Sequence, residues 1–597
     1  MELTLKEDLE DYKLKIYNWT ILKRLFIYIK PYKNRLLVSL FLLLIASVGE
    51  LILPYLTKLA IDNYIAAQQL HALWKISGIY LAALCVIFVA TYYHSCIMQL
   101  TGQYIMYDMR VTMFSHIQYL PVRFFNRTPV GKIMTRVTND VEVLNELFTA
   151  GVITMIGDLF ILAGILIAMF LLNASLAGIV ILVLPLIFLA SYLFQKNVRE
   201  TYNRVRFWLS KMNSFMQESI SGISILQVFN AEKQNLNSFD TINTEYKKAN
   251  IDSIFYYALF YPVIELIGAI SIGTILFFGG SSILKGTLTF GVLVAFLQYS
   301  YRFFRPIADL TEKYNIILSA IIASERIFKI LDEPADSQYK GIDILIKKPP
   351  LLSFKNVSFG YNETPVLQDV SFEAYPEEKL AIVGPTGSGK TTIVSLLLKF
   401  YQDYEGTILF DGQDLRTLSA QSVRKQIGMV FQEPFLFSKS LQENLYLGSR
   451  YLEDKKIREL ATQIIGEKFM QRFANKLDYK IGERGIELST GERQLIAFAR
   501  ALSINPLLLI LDEATSSIDP ETETYIQNQL QSWLTHHTSL IIAHRLSTIK
   551  NADKIIMLSD GKIIEQGTHE ELMGLKAKYY LFCNYFINAE DSKIVKE

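Results

Sequence analysis

The stretch Leu380-Ala-Ile-Val-Gly-Pro-Thr-Gly-Ser-Gly-Lys-Thr391 decides the fold of the C-terminal part of this chain. Its first four residues are apolar and typical of a strand, a glycine-rich loop comes next, and the helical stretch Thr391–Phe400 follows. In that context the pattern Gly-x4-Gly-Lys-Thr predicts a phosphate-binding loop, because glycines let backbone N–H groups converge on phosphate oxygens at the start of a helix. The residues assigned to nucleotide binding here are Gly384, Pro385, Thr386, Gly387, Ser388, Gly389, Lys390, Thr391 and Thr392.

Two side chains of this loop have chemical roles of their own. Lys390 is expected to neutralise charge on the β- and γ-phosphates, and the Thr391 hydroxyl is expected to ligate Mg²⁺. The sequence therefore predicts ATP and Mg²⁺ as cofactors.

A second apolar run, Leu507-Leu-Leu-Ile-Leu511, predicts a strand buried on both faces of a parallel sheet. It delivers Asp512 and Glu513 to its carboxyl end, where open α/β sheets bind ligands. We expect Asp512 to hold the metal, directly or through water, and Glu513 to act as the general base on the attacking water. His544 follows the apolar strand Ser539–Ala543 and is a candidate contact for the γ-phosphate, although a histidine there is by itself an ordinary polar strand-end residue.

The composition of the whole chain separates a membrane part from a soluble part. Of 597 residues, 51% are hydrophobic and only 20% are charged, and the apolar runs concentrate before residue 310. The net charge of +1 gives no reason to expect a nucleic-acid partner. Three cysteines, Cys85, Cys96 and Cys583, are too few for a disulfide framework and are expected to be apolar packing residues.

Six apolar stretches are long enough to cross a bilayer, which takes roughly 20 residues each. They lie at 36–57, 76–98, 151–172, 176–195, 254–280 and 288–306. The long connections after the second and fourth stretches carry many Arg and Lys residues, whereas the other connections are short and nearly uncharged. This bias places the long loops and both termini in the cytoplasm of a multi-pass protein in a cell membrane, which we expect to be bacterial.

Each long connection bends at a turn-like patch between helical stretches. These patches, near 121–131 and 219–226, are predicted to be short transverse helices that couple the two domains, the alternative being simple hairpin tips. The predicted domains are an N-terminal interfacial helix, a six-span region with these loops, a linker and a nucleotide domain, over residues 1–34, 35–320, 321–350 and 351–597. For the N-terminal helix, a solvated helix docked on protein is the alternative to a position at the cytoplasmic membrane surface.

Together these features closely resemble the ABC transporter family, of the exporter type with one membrane domain and one nucleotide domain in each polypeptide. The resemblance covers essentially the full length. Its anchors are the phosphate loop, Gln432 in Val430-Phe-Gln-Glu433, Leu488-Ser-Thr-Gly-Glu492, Asp512-Glu513, Ser516-Ser-Ile-Asp519 and His544. It implies an all-α six-helix transmembrane domain followed by an α/β P-loop ATPase domain with a helical signature subdomain.

The resemblance also implies roles that the residues alone do not show. Tyr361 is expected to stack on adenine, and Gln432 to sense the metal and the γ-phosphate. Gly482-Glu-Arg-Gly485 is similar to the segment that touches the partner's coupling helix, and Asp519 is expected at the dimer seam.

In this family each ATP lies between the phosphate loop of one domain and the signature of the other. Here the signature keeps Ser489 and Gly491, but Thr490 replaces a glycine and Glu492 replaces a neutral glutamine. A β-branched residue restricts the backbone, and a carboxylate near phosphates is unfavourable. A homodimer would weaken both sites, so we expect a heterodimer with a second half-transporter, in which this chain resembles the consensus-site subunit of bacterial multidrug exporters. A tolerated variation in a homodimer is the alternative.

Ionisable residues inside membrane spans are costly and point to function. Asp158 and Glu265 are predicted to contact cationic amphiphiles, while Glu50, His94 and Arg302 also fall in or near spans and have packing or interfacial alternatives. The predicted activity is ATP-driven, alternating-access export of hydrophobic or amphiphilic compounds, drugs among them, from the cytoplasm or inner leaflet. Membrane lipids and such small molecules are the other expected partners. A lipid or peptide exporter is the alternative, followed by an ATP-gated channel or a regulatory subunit.

Overall fold

The computed structural model describes residues 19–335, 342–343, 350–361, 364–447, 459, 463–465, 476–512, 533–534, 537–543 and 549–584. The chain divides into two compact units, one formed by residues 1–118 and 130–333 and the other by residues 119–129 and 334–597. By its contacts, the first predicted coupling loop thus belongs to the nucleotide-binding unit. The predicted residues Glu513, Ser516–Asp519 and His544 lie outside the described residues.

From residue 19 to residue 331 the chain is helical almost throughout. Its helices are α1 (Trp19–Ile29), α2 (Lys33–Leu59), α3 (Leu70–Gln118), α4 (Val122–Arg127), α5 (Val130–Thr135), α6 (Val141–Glu146), α7 (Val152–Leu172), α8 (Ala174–Ser221), α9 (Ile223–Val228), α10 (Glu232–Leu284) and α11 (Phe290–Leu331). Four of the predicted spans lie inside a long helix of this set. The third begins one residue before α7, and the sixth begins two residues before α11. The short helices α4 and α9 occupy the two predicted transverse positions.

By length and composition, four described helical runs are able to cross a membrane. They are Lys23–Ile65, Leu73–Gln118, Val130–Leu172 and Glu232–Leu284, which contain the first, second, third and fifth predicted spans. The fourth predicted span contributes the shorter apolar segment Ala174–Val183. The sixth lies in α11, which continues to Leu331 and so extends into the segment that the sequence analysis assigned to the linker.

Small residues and one buried tyrosine hold the apolar helices of the first unit together. A Cβ at Gly164 of α7 would lie 2.3 Å from Leu51 Cδ1, and one at Gly157 would lie 2.8 Å from Leu43 Cδ2, so these glycines let α7 approach α2 closely. Tyr299 of α11 is fully buried and donates a hydrogen bond to the Leu51 carbonyl at 2.6 Å. These contacts fix the first, third and sixth spans against one another.

The second unit contains two sheets and the helices that cover them. Its strands are β1 (Leu352–Tyr361), β2 (Thr364–Ala374), β3 (Lys379–Val383), β4 (Glu405–Phe410), β5 (Gln413–Asp414), β6 (Ile427–Val430), β7 (Leu508–Asp512), β8 (Thr538–Ile542), β9 (Lys554–Ser559) and β10 (Lys562–Gly567). Its described helices are α12 (Lys390–Leu397), α13 (Ala420–Lys425), α14 (Leu441–Tyr446), α15 (Thr490–Leu502) and α16 (His569–Leu575).

The larger sheet has the strand order β10-β9-β3-β8-β7-β6, and the smaller one has the order β2-β1-β4-β5. In the larger sheet β9, β3, β8, β7 and β6 run parallel, and β10 is antiparallel to β9. Leu508, Leu509 and Ile510 are completely buried, with alternate residues in the apolar clusters on the two faces. The prediction that 507–511 is a strand buried on both faces is confirmed.

Candidate nucleotide-binding site

The parallel strands bring three predicted site elements to one edge of the larger sheet. β3 ends at Val383, immediately before the phosphate loop, and β7 ends at Asp512. β6 ends at Val430, two residues before Gln432. Because Leu511 pairs with Val430 and β8 lies between β7 and β3, these ends are neighbours at the carboxyl edge of the sheet.

The loop after β3 has a conformation that only glycine adopts without strain. Gly384, Gly387 and Gly389 have φ angles of +152°, +84° and +106°. A Cβ on Gly384 would lie 2.0 Å from the Leu558 carbonyl oxygen of β9, whereas a Cβ on Gly387 would meet nothing within 4 Å. The loop is therefore pressed against the sheet at its start and open at its middle.

The groups that this loop directs inward are suited to phosphate. The Lys390 ammonium is buried and donates to the carbonyls of Gly384 at 2.7 Å and Pro385 at 3.0 Å, so it lies inside the curve of the loop. The Ser388 hydroxyl is buried and has no hydrogen-bond partner among the described residues. Gly389 caps α12 without a side-chain bond; the Thr392 N–H donates to the Gly389 carbonyl, and the N–H groups before it have no acceptor within the helix itself. These donors fit an anion at the start of the helix.

The expected metal ligands are also oxygen donors. The Thr391 side chain is exposed at the start of α12, and Asp512 is half-buried at the end of β7. Among the described residues, no group of three or more His, Cys, Asp or Glu side chains is arranged to hold a metal ion. A hydroxyl and a carboxylate match the way that Mg²⁺ is usually held with phosphate, by few protein ligands.

The predicted adenine-stacking residue belongs to an aromatic cluster at the end of β1. The Tyr361 ring meets the rings of Phe359 and Tyr401 edge to face, each with centroids 5.2 Å apart. Its hydroxyl lies 3.4 Å from Thr392 Oγ1, beside the phosphate loop. Because the side chain is 37% exposed, part of the ring remains available for stacking on a base.

The transverse helix α4 rests on the same aromatic cluster. Asn126 Nδ2 donates to the Tyr401 hydroxyl at 2.9 Å, and Arg123 lies 3.4 Å from the Asp403 carboxylate. A cavity of about 300 Å³ lies between α4 and Tyr361. The sequence predicts a coupling segment here, but the pairing of Asn126 with Tyr401 gives no local signal because the two residues lie 275 positions apart.

The signature lies at the start of α15 and is closed by a capping box. Ser489 Oγ accepts the Glu492 N–H at 3.2 Å, and the Ser489 N–H donates to Glu492 Oε2 at 2.8 Å. The Glu492 side chain is only 3% exposed. Its carboxylate therefore caps its own helix and does not project outward, which differs from the direct opposition to phosphate that the sequence suggested. The pattern Ser-x-x-Glu was the available signal.

The predicted partner-facing segment lies just before the signature. Arg484 and Gly485 adopt positive φ angles of +56° and +66°, and Ile486 is 75% exposed. The segment thus presents the apolar Ile486 side chain on a tight turn.

Gln432, the predicted sensor of the metal and the γ-phosphate, has an exposed side chain after β6.

Of the ionisable residues predicted in or near the spans, Asp158, His94 and Arg302 have polar partners, and Glu265 is exposed. Asp158 of α7 forms an ion pair with Lys313 of α11, a residue beyond the predicted sixth span for which the sequence gives no functional signal. His94 is buried, with Nδ1 2.7 Å from Ser39 Oγ, and Arg302 donates to the Glu50 carbonyl at 2.8 Å. By contrast, Glu265 is exposed on α10.

Comparisons with known proteins cover both units. Residues 36–307 match the family described as ABC transporter transmembrane region, and residues 367–516 match the family described as ABC transporter. A bacterial Atm1-family ABC exporter with ATP bound has the same fold, with a TM-score of 0.75 and 24% identity, over 93% of this chain and 98% of that chain.

Three relatives match with higher identity. The Bacillus subtilis (strain 168) uncharacterized ABC transporter ATP-binding protein YknV is 38% identical over 94% of this chain and 93% of its own. The probable multidrug resistance ABC transporter ATP-binding/permease protein YheH of the same strain is 36% identical, over 81% and 72%. An ATP-dependent lipid A-core flippase of Syntrophus aciditrophicus (strain SB) is 35% identical, over 94% and 93%.

These matches confirm the predicted fold class and the resemblance on which it rested. Half-transporters of this kind dimerise, since each polypeptide carries one membrane region and one nucleotide domain. The chain belongs to the ABC transporter family, as a membrane-embedded exporter half-transporter that binds ATP and couples its hydrolysis to transport.

Proposed function

We propose that this chain is the hydrolytic subunit of a heterodimeric exporter that moves hydrophobic and amphiphilic drugs out of the cytoplasm or inner leaflet of a bacterial membrane. Both termini and the ATPase domain lie on the cytoplasmic side. The observation that carries the proposal is the contrast between an open phosphate loop and a signature helix whose first turn is capped by Glu492.

At its own phosphate loop the chain supplies the catalytic groups. The loop N–H groups and Lys390 bind the β- and γ-phosphates. Thr391, Asp512 and Gln432 would hold Mg²⁺, which when bound would neutralise phosphate charge. Glu513 follows Asp512 directly and takes the proton from the attacking water, and His544 contacts the γ-phosphate.

The signature of this chain serves the other ATP site. A free helix N-terminus carries roughly half a positive charge, and an acidic residue in the first turn offsets part of it. Glu492 uses its carboxylate in this way, and Thr490 adds a β-branched residue beside it. Phosphate binding is therefore weaker at the partner's ATP site, which receives this signature. At the ATP site that contains Glu513, the partner supplies its own signature and full hydrolytic activity is retained.

Assembly with the partner uses two exposed apolar features. The second transverse segment presents Ile225, Val228 and Phe229 to solvent, with Val228 75% exposed. Ile486, on the turn before the signature, is equally exposed. We assign the first feature to contact with the partner's nucleotide domain and the second to contact with the partner's transverse helix.

Glu265 is the acid that we assign to cationic substrates. It is exposed, and in the described part of the chain it forms no ion pair, whereas Asp158 is engaged by Lys313. A cation must displace Lys313 to reach Asp158, so Asp158 contributes less. The multidrug name of one relative supports drugs as cargo, and the flippase name of another supports lipids as the second candidate.

Transport by the co-expressed pair, reconstituted in vesicles, tests this function. Drug-stimulated ATPase activity is expected, together with uptake of hydrophobic cations into inside-out vesicles. Glu265→Gln should slow cation uptake several-fold and leave uptake of neutral compounds unchanged, and Asp158→Asn should have the smaller effect. ATPase activity that responds to lipid and not to drugs would favour the flippase, and ATP-dependent ion currents would indicate a channel.

A further inference from the structure

A groove lies at the junction of α1 and α2, separate from the ATP site and from the intramembrane acids. Its volume is about 460 Å³, within the roughly 300–1,000 Å³ typical of small-ligand sites. Phe26 and Ile29 line it on the α1 side, and Leu36 and Leu40 line it on the α2 side. Ile153 of α7 completes the apolar lining.

Among the residues that the structure describes, two lysines are the only charged ones that line this groove. Lys30 and Lys33 are both exposed, and in the part of the chain that the structure describes neither has an acidic partner. From Trp19 to Gly49 the sequence contains five basic residues and no acidic one. The groove therefore combines an apolar wall with uncompensated positive charge.

Two acids that contact this part of the chain are already engaged. The Tyr32 hydroxyl donates to the Asp108 carboxylate at 2.8 Å, and Arg24 binds Asp332 through two hydrogen bonds of 2.7 Å each. The hydrogen bonds from Arg24 hold the pKa of the Asp332 carboxyl below its usual range, so that carboxyl stays ionised and paired.

Arg24 also holds α1 in a fixed position. Its guanidinium lies 4.1 Å from the centre of the Phe328 ring of α11, and Leu25 beside it is 2% exposed. With one face anchored on α11, α1 turns Phe26 away from the protein interior, into the groove. The groove is therefore a built feature of the first unit.

The order of residues along α2 matches the order of groups in a lipid. Lys33 is the first residue of α2, and Leu40 lies seven residues further into the first span. At 1.5 Å per residue this places the deepest leucine roughly 10 Å below the lysine. A phosphate held by the lysines would thus lead into an acyl chain lying along the leucines.

We propose that the α1–α2 groove binds an anionic phospholipid of the inner leaflet, with its phosphate on Lys30 and Lys33 and one acyl chain along Leu36 and Leu40. Basic residues at this depth attract the anionic lipids of the cytoplasmic leaflet. The same positive charge repels the cationic amphiphiles assigned to Glu265. The lipid site is independent of the cargo that the transporter carries.

The test is electron paramagnetic resonance of spin-labelled phosphatidylglycerol and phosphatidylcholine around the intact transporter in phosphatidylcholine vesicles. Wild-type protein should prefer phosphatidylglycerol, and Lys30→Gln/Lys33→Gln should lower that preference by about thirtyfold, since each of the two lysines contributes about 1 kcal/mol at the membrane surface. The charge-matched control Lys233→Gln/Lys355→Gln, at exposed lysines outside the groove and outside the predicted spans and interfacial helix, should change it by less than about twofold.

A second variant separates a built site from general surface charge. Leu36→Trp fills the apolar wall and keeps both lysines, so it should also lower the preference, while ATP binding confirms that the variant is folded. An unchanged preference in Leu36→Trp, or equal losses in the two lysine pairs, would overturn the proposal. Displacement of the labelled lipid by soluble glycerol phosphate would also overturn it, since the site would then recognise free phosphate compounds.

Discussion

Helices α12 and α15 both begin where this family holds phosphates, yet their first turns are built differently. α12 is capped by Gly389, which has no side chain, and its first-turn N–H groups face an open loop. α15 is capped by Ser489, whose side chain accepts the Glu492 N–H, and the Glu492 carboxylate accepts the Ser489 N–H in return. In this respect α15 matches α14 and α16, which have capping boxes formed by Ser440 with Glu443 and Thr568 with Glu571.

The difference separates stability from function. A capping box stabilises a helix, with a serine cap alone contributing about 1 kcal/mol, but it occupies the donors and offsets the dipole that an anion needs. α12 gives up that stabilisation and keeps its donors for phosphate. α15 begins like an ordinary structural helix, so the chain is complete at its own ATP site and weak at the one it completes for its partner.

The largest effect is expected at the ATP site that contains the phosphate loop and α12. Glu513→Gln removes the proposed base and should lower ATP turnover by about 10²–10⁴-fold, because general base catalysis contributes on that order. ATP binding should stay intact, since Lys390 and the loop are unchanged. Steady-state ATPase assays with nucleotide-binding measurements check both, and substantial residual turnover would remove Glu513 from the role of base.

The next effect distinguishes two glycines of the same loop. Gly384→Ala places a Cβ 2.0 Å from the Leu558 carbonyl, whereas Gly387→Ala adds a Cβ in open space, and both have positive φ. Gly387→Ala should lose only the part due to backbone strain, roughly 1–2 kcal/mol or about 5- to 30-fold in ATP affinity, and Gly384→Ala should lose more than this because the clash adds to the same strain. Fluorescent-nucleotide titration checks the order, and equal losses would contradict the loop geometry.

A smaller effect is expected where the aromatic cluster beside the ATP site contacts the transverse helix α4. Tyr401→Phe removes the hydroxyl that accepts the Asn126 hydrogen bond, worth about 1 kcal/mol. Drug stimulation of ATPase activity should fall by a few-fold while basal ATP affinity changes little. Tyr404→Phe is the matched control, because the buried Tyr404 hydroxyl has no hydrogen-bond partner among the described residues. Equal effects of the two changes would mean that the α4 contact carries no coupling.

Sequence predicted those parts of the fold that depend on local patterns. The spacing of apolar residues located the spans and the strand 507–511, and glycine spacing located the phosphate loop. The ion pair of Asp158 with Lys313 joins residues 155 positions apart, so no window of sequence contains it. Only packing of α7 against α11 brings the two side chains together.

The orientation of Glu492 is a different case. Composition shows a carboxylate where the family has an amide, and charge alone suggests repulsion of phosphate. The local pattern Ser-x-x-Glu decides instead that the carboxylate turns back to the Ser489 N–H. Helix capping therefore changes the reason for the weakened site while leaving the expected asymmetry in place.

The most direct test is the ATP turnover of this chain purified without a partner, compared with its Thr490→Gly/Glu492→Gln variant. The double change removes the capping carboxylate and the β-branched residue, so it should raise turnover of the homodimer by about tenfold, the equivalent of roughly 1.4 kcal/mol. Glu571→Gln, in the capping box of α16, is the control and should leave turnover unchanged. A wild-type homodimer that already hydrolyses ATP as fast as the variant would contradict the account.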